Sequence, residues 1–83
     1  MNKLLIKLYI PAIGMQYDLW ISKKSYIYEI INLIVRGLKD LTYGEYDPRR
    51  LPNLYDKKTG LEFDPNSFVE NVNIVNGSEL ILI

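Results

Sequence analysis

Residues 76–83 read NGSELILI, and this stretch decides the fold. Asn76-Gly77 is a dipeptide typical of tight turns, and the apolar residues after it predict a β-strand that runs to Ile83. Because the apolar run is nearly continuous, we expect an interior strand that is covered on one face and has a partner on each side. The rest of the chain must therefore supply a covering helix and a second strong strand.

Two alternating segments near the amino end predict such strands. Residues 3–10 and 16–22 alternate side chains with the period of two that marks a half-buried strand. The sequence PAIG between them has turn chemistry, so the two segments predict a hairpin. The closing strand is expected in the middle of the sheet, beside the first strand. The side chains predicted to face the core are Leu4, Ile6, Leu8, Ile10, Tyr17, Leu19 and Ile21.

The period changes to that of an α-helix at Ser25, which is a plausible N-cap. Glu29 in the first turn suits the positive end of the helix dipole. Ile34 is expected near the middle of the buried stripe, where its loss would leave a cavity against the sheet. The apolar stripe comprises Ile27, Ile30, Ile31, Ile34, Val35 and Leu38.

The remaining chain predicts a long loop over residues 40–53, in which Tyr43 and Tyr46 are expected to pack. Short extended pieces around NLYD and LEF flank the turn KKTG, where Gly60 can adopt a positive φ. The segment DPNSFVEN predicts a single helical turn capped by Asn66 or Ser67. One helix across one face of a mixed sheet is an α+β, two-layer architecture.

Composition excludes several kinds of chemistry. The 83 residues make one domain, residues 1–83, and contain neither Cys nor His. Disulfides, thiol nucleophiles, the usual general base and the commonest metal ligand are therefore missing. We expect no enzyme activity, no cofactor and no metal. Four carboxylates lack the ligand spacing of a calcium loop, so turn solvation is the favoured interpretation for Asp47, Asp56, Glu62 and Asp64.

The charge balance also limits the partners. Ten basic and ten acidic residues cancel, so we expect no general affinity for nucleic acid. No segment approaches the roughly 18 apolar residues of a membrane span. The amino-terminal MNKLLIKLYI has a lysine inside its apolar run and no small-residue cleavage site, unlike a signal peptide. A cytoplasmic protein without membrane insertion is the expectation.

The order of elements resembles the β-grasp fold of ubiquitin, with a mixed sheet of four to five strands, one main helix across one face and a short helical turn before the last strand. A closer resemblance is to the small bacterial ubiquitin-like proteins of the YukD/EsaB type, which are encoded with type VII (WXG-type) secretion systems. The segments that carry it are YDLWISKKSYIYEIINLIV (17–35) and FVENVNIVNGSELILI (68–83). The loop over residues 40–53 departs from the pattern expected of that family.

The resemblance implies a ubiquitin-like body without conjugation chemistry. Ubiquitin-like proteins that become covalently attached need a flexible tail ending in Gly-Gly, whereas Ile83 is expected to close the final strand. The implied function is a non-conjugated adaptor or regulatory protein of a type VII secretion system, acting by protein–protein binding. The alternative is a stand-alone β-grasp interaction domain of another bacterial system, either as a single chain or as a homodimer that buries the uncovered face of the sheet.

The strand alternation also predicts where a partner binds. Side chains that alternate with the core residues face outward, and we expect the hairpin register to set Leu5 opposite Trp20 and Lys7 opposite Asp18. Exposed apolar side chains on the uncovered sheet face would then mark an interaction site, with Trp20 as its anchor. Ordinary strand preference for apolar residues is the competing explanation. The predicted protein-binding residues are Leu5, Tyr9, Trp20, Ile81 and Ile83.

Overall fold

A four-stranded mixed sheet organises the molecule in the computed structural model, which describes residues 2–83 and leaves Met1 outside the described residues. The strands are β1 (Lys3–Ile10), β2 (Met15–Ser22), β3 (Leu54–Asp56) and β4 (Glu79–Leu82), in the order β2-β1-β4-β3. β4 runs parallel to β1, whereas β2 pairs antiparallel with β1 and β3 pairs antiparallel with β4. The prediction that the closing strand lies in the middle, beside the first strand, is confirmed.

The turn before β4 fixes its position against β1. The side-chain oxygen Oδ1 of Asn76 accepts a hydrogen bond from the Leu5 N–H at 2.9 Å, and the Gly77 N–H donates to the Leu5 carbonyl at 2.8 Å. Gly77 has φ +85°, a conformation that costs a residue with a Cβ about 1–2 kcal/mol. The inward side chains Leu80 and Leu82 then lie fully buried among those of β1.

The helix α1 (Ile27–Leu41) packs across one face of the sheet and begins later than the sequence suggested. Its N-cap is Tyr26, so the prediction of Ser25 is wrong. Ser25 is held elsewhere, because its carbonyl accepts a hydrogen bond from the Val69 N–H at 3.0 Å. A Glu29 oxygen accepts from the Tyr26 N–H at 2.9 Å, which satisfies the helix start.

The buried stripe of α1 is narrower than predicted. Ile31, not Ile34, lies at its centre and is almost fully buried, whereas Ile34 is only partly buried. The two residues lie about 60° apart around the helix. Ile34 therefore lies on the side of the helix next to the edge strand β2. Leu33 lies on the far side and is exposed. The helix phase was correctly inferred, but the position of its centre was not.

The later connections follow the prediction in outline. β3 forms at NLYD, but the LEF segment contributes only one isolated bridge, between Glu62 and Tyr55. Gly60 has φ +74°, as expected of its turn. The short helical turn is a 3-10 turn at Val69–Asn71 whose N-cap is Phe68, so the expected caps, Asn66 and Ser67, are wrong.

The long loop after α1 is anchored by one of its two tyrosines. Tyr46 is buried in the core, and its N–H donates to the Thr42 hydroxyl at 2.9 Å. Burial raises the pKa of the Tyr46 phenol. Tyr43, in contrast, is 97% exposed and has φ +54°. The expectation of loop packing is therefore confirmed for Tyr46 and wrong for Tyr43.

Candidate protein-interaction site

The surface of the sheet opposite α1 is the outer sheet face, and the structure places all five predicted binding residues on it or at its margin. Trp20 and Ile83 are the most open, with 59% and 67% of their surfaces exposed. Leu5 is exposed, and Tyr9 and Ile81 are half-buried. Most of their neighbours along each strand are buried, namely Leu4, Ile6, Leu8, Ile10, Ile21, Leu80 and Leu82, whereas Leu19 beside Trp20 is half-buried.

The strand register places four of these five residues in two groups, and Ile83 lies beyond the last residue of β4. Leu5 lies opposite Trp20 across β1 and β2, and this is the tryptophan pair. Tyr9 lies opposite Ile81, which in turn lies opposite Tyr55 of β3, and these three form the tyrosine row. Leu5 and Tyr9 are about 13 Å apart along β1, at roughly 3.3 Å per residue. The apolar surface is therefore two separate groups and not one patch.

A row of charged residues crosses the sheet between the two groups. Lys7 lies opposite Asp18 across the hairpin, which confirms the predicted hairpin register. On its other side, Lys7 lies opposite Glu79 of β4. Within residues 2–83 the ion pairs join Lys24 to Glu70 and Lys39 to Asp47, so Lys7 and Asp18 form none. The charges of this row stay available to a partner that binds the outer sheet face.

Tyr55 belongs to this face although the sequence did not single it out. β3 has only three residues, too few for an alternation that would fix which side chains point outward. Its pairing with Ile81 settles the question. Beside it, the Lys57 ammonium nitrogen lies 5.6 Å from the centroid of the Tyr9 ring, within the range of a cation–π contact. The tyrosine row therefore carries a cationic border.

The four carboxylates considered as metal ligands each have another role. Asp47 pairs with Lys39 at 3.0 Å, and Asp64 accepts a hydrogen bond from the Asn66 N–H at 2.9 Å. Asp56 accepts hydrogen bonds from the Lys58 N–H and the Thr59 hydroxyl, and Glu62 accepts one from the Asn53 side chain. In the described part of the chain, no cluster of three or more acidic, Cys or His residues is arranged to hold a metal ion. These carboxylates stabilise turns and loops.

Ile83 is tied to the sheet beyond the last residue of β4. Its N–H donates to the Asn53 carbonyl at 3.1 Å, and its carbonyl accepts from the Asn53 N–H at 2.9 Å. This reciprocal pair extends the β3–β4 ladder by one step. The backbone of Ile83 is therefore held in an extended strand and not in a free segment.

An apolar groove with a volume of about 290 Å³ lies on the other side of the sheet, between β2 and α1. Leu19 and Ile34 contribute its walls, Leu33 and Leu41 stand exposed at its rim, and Trp20 borders it from the strand. None of its lining residues is charged. Separately, no helix among residues 2–83 has the length and hydropathy needed to cross a membrane.

Comparison with known proteins identifies the fold. No family model and no curated protein matches this sequence. Among solved structures, it is similar to the ubiquitin-like domain of the Mycobacterium tuberculosis type VII secretion system protein EccD1, with a TM-score of 0.75 and 13% identity over 100% of this chain and 99% of that one. Caldiarchaeum subterraneum ubiquitin gives a TM-score of 0.73 at 15% identity, covering 96% of this chain and 90% of that one.

A ubiquitin-like domain of an Arabidopsis thaliana protein gives a TM-score of 0.68 at 15% identity, covering 100% of this chain and 78% of the other. These likenesses, together with the four-stranded sheet, single main helix and 3-10 turn before β4, show that the chain has the ubiquitin-like β-grasp fold. At this identity they show the fold alone.

Proposed function

We propose that the chain is a non-conjugated, cytoplasmic ubiquitin-like adaptor or regulatory protein of a type VII (WXG-type) secretion system, and that it acts by binding another protein. The observation that carries the proposal is the outer sheet face, where the tryptophan pair and the tyrosine row stand uncovered beside a charged row. Support for the secretion system comes from the structural likeness to the EccD1 domain, which extends over 100% of this chain and 99% of that one.

The chemistry of the outer sheet face favours binding over catalysis. Trp and Tyr dominate the hot spots of protein interfaces because they bury large area and carry one polar group. Lys7, Asp18 and Glu79 lie between the apolar groups, where they would select partners by charge complementarity. A partner that fits has two apolar contacts about 13 Å apart, with polar groups of both signs between them.

A stand-alone β-grasp interaction domain from another system is the alternative. It is favoured by the comparable TM-scores of ubiquitin-like proteins outside secretion, such as the 0.73 of the Caldiarchaeum ubiquitin. Both candidates use the outer sheet face, so biochemistry on that face alone does not separate them. A test of secretion does.

The decisive experiment deletes the gene in its source organism and measures export of a small helical WXG substrate into the medium. We expect export to fall while the intracellular substrate persists, and expression of the wild-type chain to restore it. Unchanged export after a confirmed deletion would reject the secretion role and leave the stand-alone domain.

Complementation with Trp20→Ser tests the surface. Trp20 is largely exposed, so this variant should melt close to the wild-type temperature, yet lose about 2 kcal/mol or more of partner affinity and fail to restore export. Leu61→Ser is the matched control, because Leu61 is 56% exposed but lies just beyond the turn that follows β3. If Trp20→Ser unfolds the domain, or restores export as well as Leu61→Ser does, Trp20 is not the anchor.

A further inference from the structure

Among residues 2–83, the strand β2 pairs with β1 alone, so its other edge is open. The Asn2 carbonyl accepts a hydrogen bond from the Lys23 N–H at 2.7 Å, and the β1–β2 register continues that pairing along the hairpin. Successive residues of an antiparallel strand direct their N–H and C=O groups to opposite sides. Because Lys23 bonds to Asn2, directly before β1, the odd-numbered residues of β2 direct their backbone groups toward β1. Gln16, Asp18 and Trp20 therefore direct both N–H and C=O to the open side.

The hydrogen bonds on the other edge of β1 agree with this assignment. The Leu5 carbonyl accepts from the Gly77 N–H, and the Lys7 N–H donates to the Ser78 carbonyl at 2.9 Å. Odd-numbered residues of β1 thus face β4, which leaves the even-numbered ones to face β2. The orientation of the open β2 edge follows independently from both sides.

This edge lacks the features that usually prevent strands from pairing between molecules. Natural edge strands are short, or carry Lys, Pro or a bulge. β2 runs for eight residues, pairs with β1 in unbroken register, and contains neither Lys nor Pro. Its single charged residue is Asp18. The strand is therefore able to accept another one.

The apolar groove lies alongside the same edge, on the helix side. The groove is open beside Gly37, where an added Cβ would meet nothing within 4 Å. Leu33 and Leu41, at the rim, are 61% and 59% exposed. A strand added to β2 would lay its inward side chains beside this groove and shield both leucines from water.

We propose that the β2 edge and the apolar groove form the interface of a homodimer, in which two copies of β2 pair antiparallel about a two-fold axis. The two sheets then become one eight-stranded sheet, with both helices on the same side. This surface adjoins the outer sheet face that the proposed function uses and shares Trp20 with it, but the inference does not depend on the secretion role.

The register follows from the charges. Because even-numbered residues of β2 direct their backbone groups to the open edge, hydrogen-bonded pairs between the two copies must join even-numbered residues. Two registers satisfy this condition and keep almost the whole of β2 paired. One sets Asp18 opposite Asp18 of the second copy, where like charges destabilise the pair. The other sets Asp18 opposite Trp20 of the second copy and Leu19 opposite its own counterpart, with Tyr17 facing Ile21 across the axis. The second register is the one we assign.

A second copy suits this surface for two reasons. The formal net charge of the chain is zero, so two copies meet without long-range repulsion. The groove lining is uncharged, and a two-fold axis brings each groove against its own image, apolar rim to apolar rim. A strongly charged partner would find only Asp18 as a charged residue on β2 and none in the lining of the groove.

Sedimentation between micromolar and millimolar protein concentration tests the dimer. The wild-type chain should shift from 9.7 kDa toward twice that mass as concentration rises. Leu33→Lys should shift the midpoint at least tenfold higher, because it sets a charge at the rim of the interface. Leu61→Lys, the same change at a leucine of similar exposure away from β2, should associate like the wild type.

Amide exchange tests the pairing itself. In the dimer, the N–H groups of Asp18 and Trp20 should become protected as concentration rises, while those of Tyr17 and Leu19 stay protected at every concentration. Asp18→Pro removes one outward N–H without breaking the bonds to β1, and it should abolish both the mass shift and the protection of Trp20.

Three results would overturn the inference. The first is a chain that stays monomeric at millimolar concentration. The second is a dimer that Leu33→Lys and Asp18→Pro leave intact, since it would use another surface. The third is association without any new protection at Asp18 and Trp20. The gene-deletion arm of the export assay, which tests the proposed function, gives its answer whether or not the chain forms a dimer.

Discussion

The substitution Ile31→Ala tests the packing of the helix against the sheet. Ile31 lies at the centre of the buried stripe of α1, with 1% of its surface exposed. Ile34 lies about 60° around the helix, on the flank, and Leu33 lies on the opposite side, about 200° away. The three positions sample the centre, the margin and the solvent face of one helix.

The magnitudes follow from burial. Ile31→Ala removes three buried carbons at about 0.8 kcal/mol each, which gives roughly 2.4 kcal/mol before any cavity is counted. With the cavity term we expect about 3 kcal/mol, inside the range of 2–5 measured for such changes. Ile34→Ala should cost about 1–2 kcal/mol because only part of the side chain is buried. Leu33→Ala should change stability by less than about 0.5 kcal/mol.

Urea unfolding and thermal melts measure the three values. For a domain of this size each kcal/mol shifts the midpoint by about 4–8 °C, so Ile31→Ala should melt roughly 12–24 °C below the wild type. The melts belong at low micromolar concentration, where association adds little to apparent stability. Equal losses at Ile31 and Ile34, or a large loss at Leu33, would mean that the helix is rotated from the position described.

Two further predictions concern the end of the sheet and the buried phenol. The 83-residue chain, mixed with a ubiquitin-type activating enzyme and ATP, should form no acyl-adenylate, because the backbone of Ile83 is paired with Asn53 in the ladder; mass spectrometry that detects the adduct would refute this. Burial raises the pKa of Tyr46 in the folded chain, so the phenol of the unfolded chain loses its proton at a lower pH, near pH 10. The free energy of unfolding should therefore fall as the pH rises from about 10 toward the pKa of the folded state. In urea titrations at pH 9–11, Tyr46→Phe should lose less stability with rising pH than the wild type. Identical pH profiles of the two chains would contradict this prediction.

Regular alternation made the sheet predictable. The parity of residues 3–10 fixed which side chains face the core, and once the two halves of the hairpin pair in register, the opposition of Leu5 and Trp20 follows. The same reasoning could not reach Tyr55, because three residues of β3 carry no periodic signal. Its place on the outer sheet face depends on long-range pairing with Ile81.

The helix and its caps show a different limit. The spacing of the apolar residues shows which side of the helix faces the sheet, but it does not show how far the sheet extends beneath the helix. Ile34 lies at the margin of the surface that the sheet covers. Cap positions depend on competing tertiary bonds. Ser25 has a good capping side chain, yet its backbone is held by Val69, and the helix begins after Tyr26 instead. The preference of Ser25 for a cap position therefore did not decide where the helix begins, because the hydrogen bond to Val69 joins segments that are distant in the sequence.

The two proposed surfaces meet at Trp20, which belongs to the tryptophan pair on the outer sheet face and also borders the apolar groove. In the assigned register, both copies of the Leu5–Trp20 pair lie next to the two-fold axis, while the two tyrosine rows lie toward opposite ends of the joined sheet. The dimer therefore has a central apolar region that a single chain lacks. A partner that needs this central region would bind the dimer more tightly than the monomer, and its binding would in turn strengthen dimerisation by the same factor. Leu33 lies outside the outer sheet face, so Leu33→Lys would weaken partner binding only at concentrations where the wild-type chain is dimeric. Trp20→Ser would weaken partner binding at every concentration.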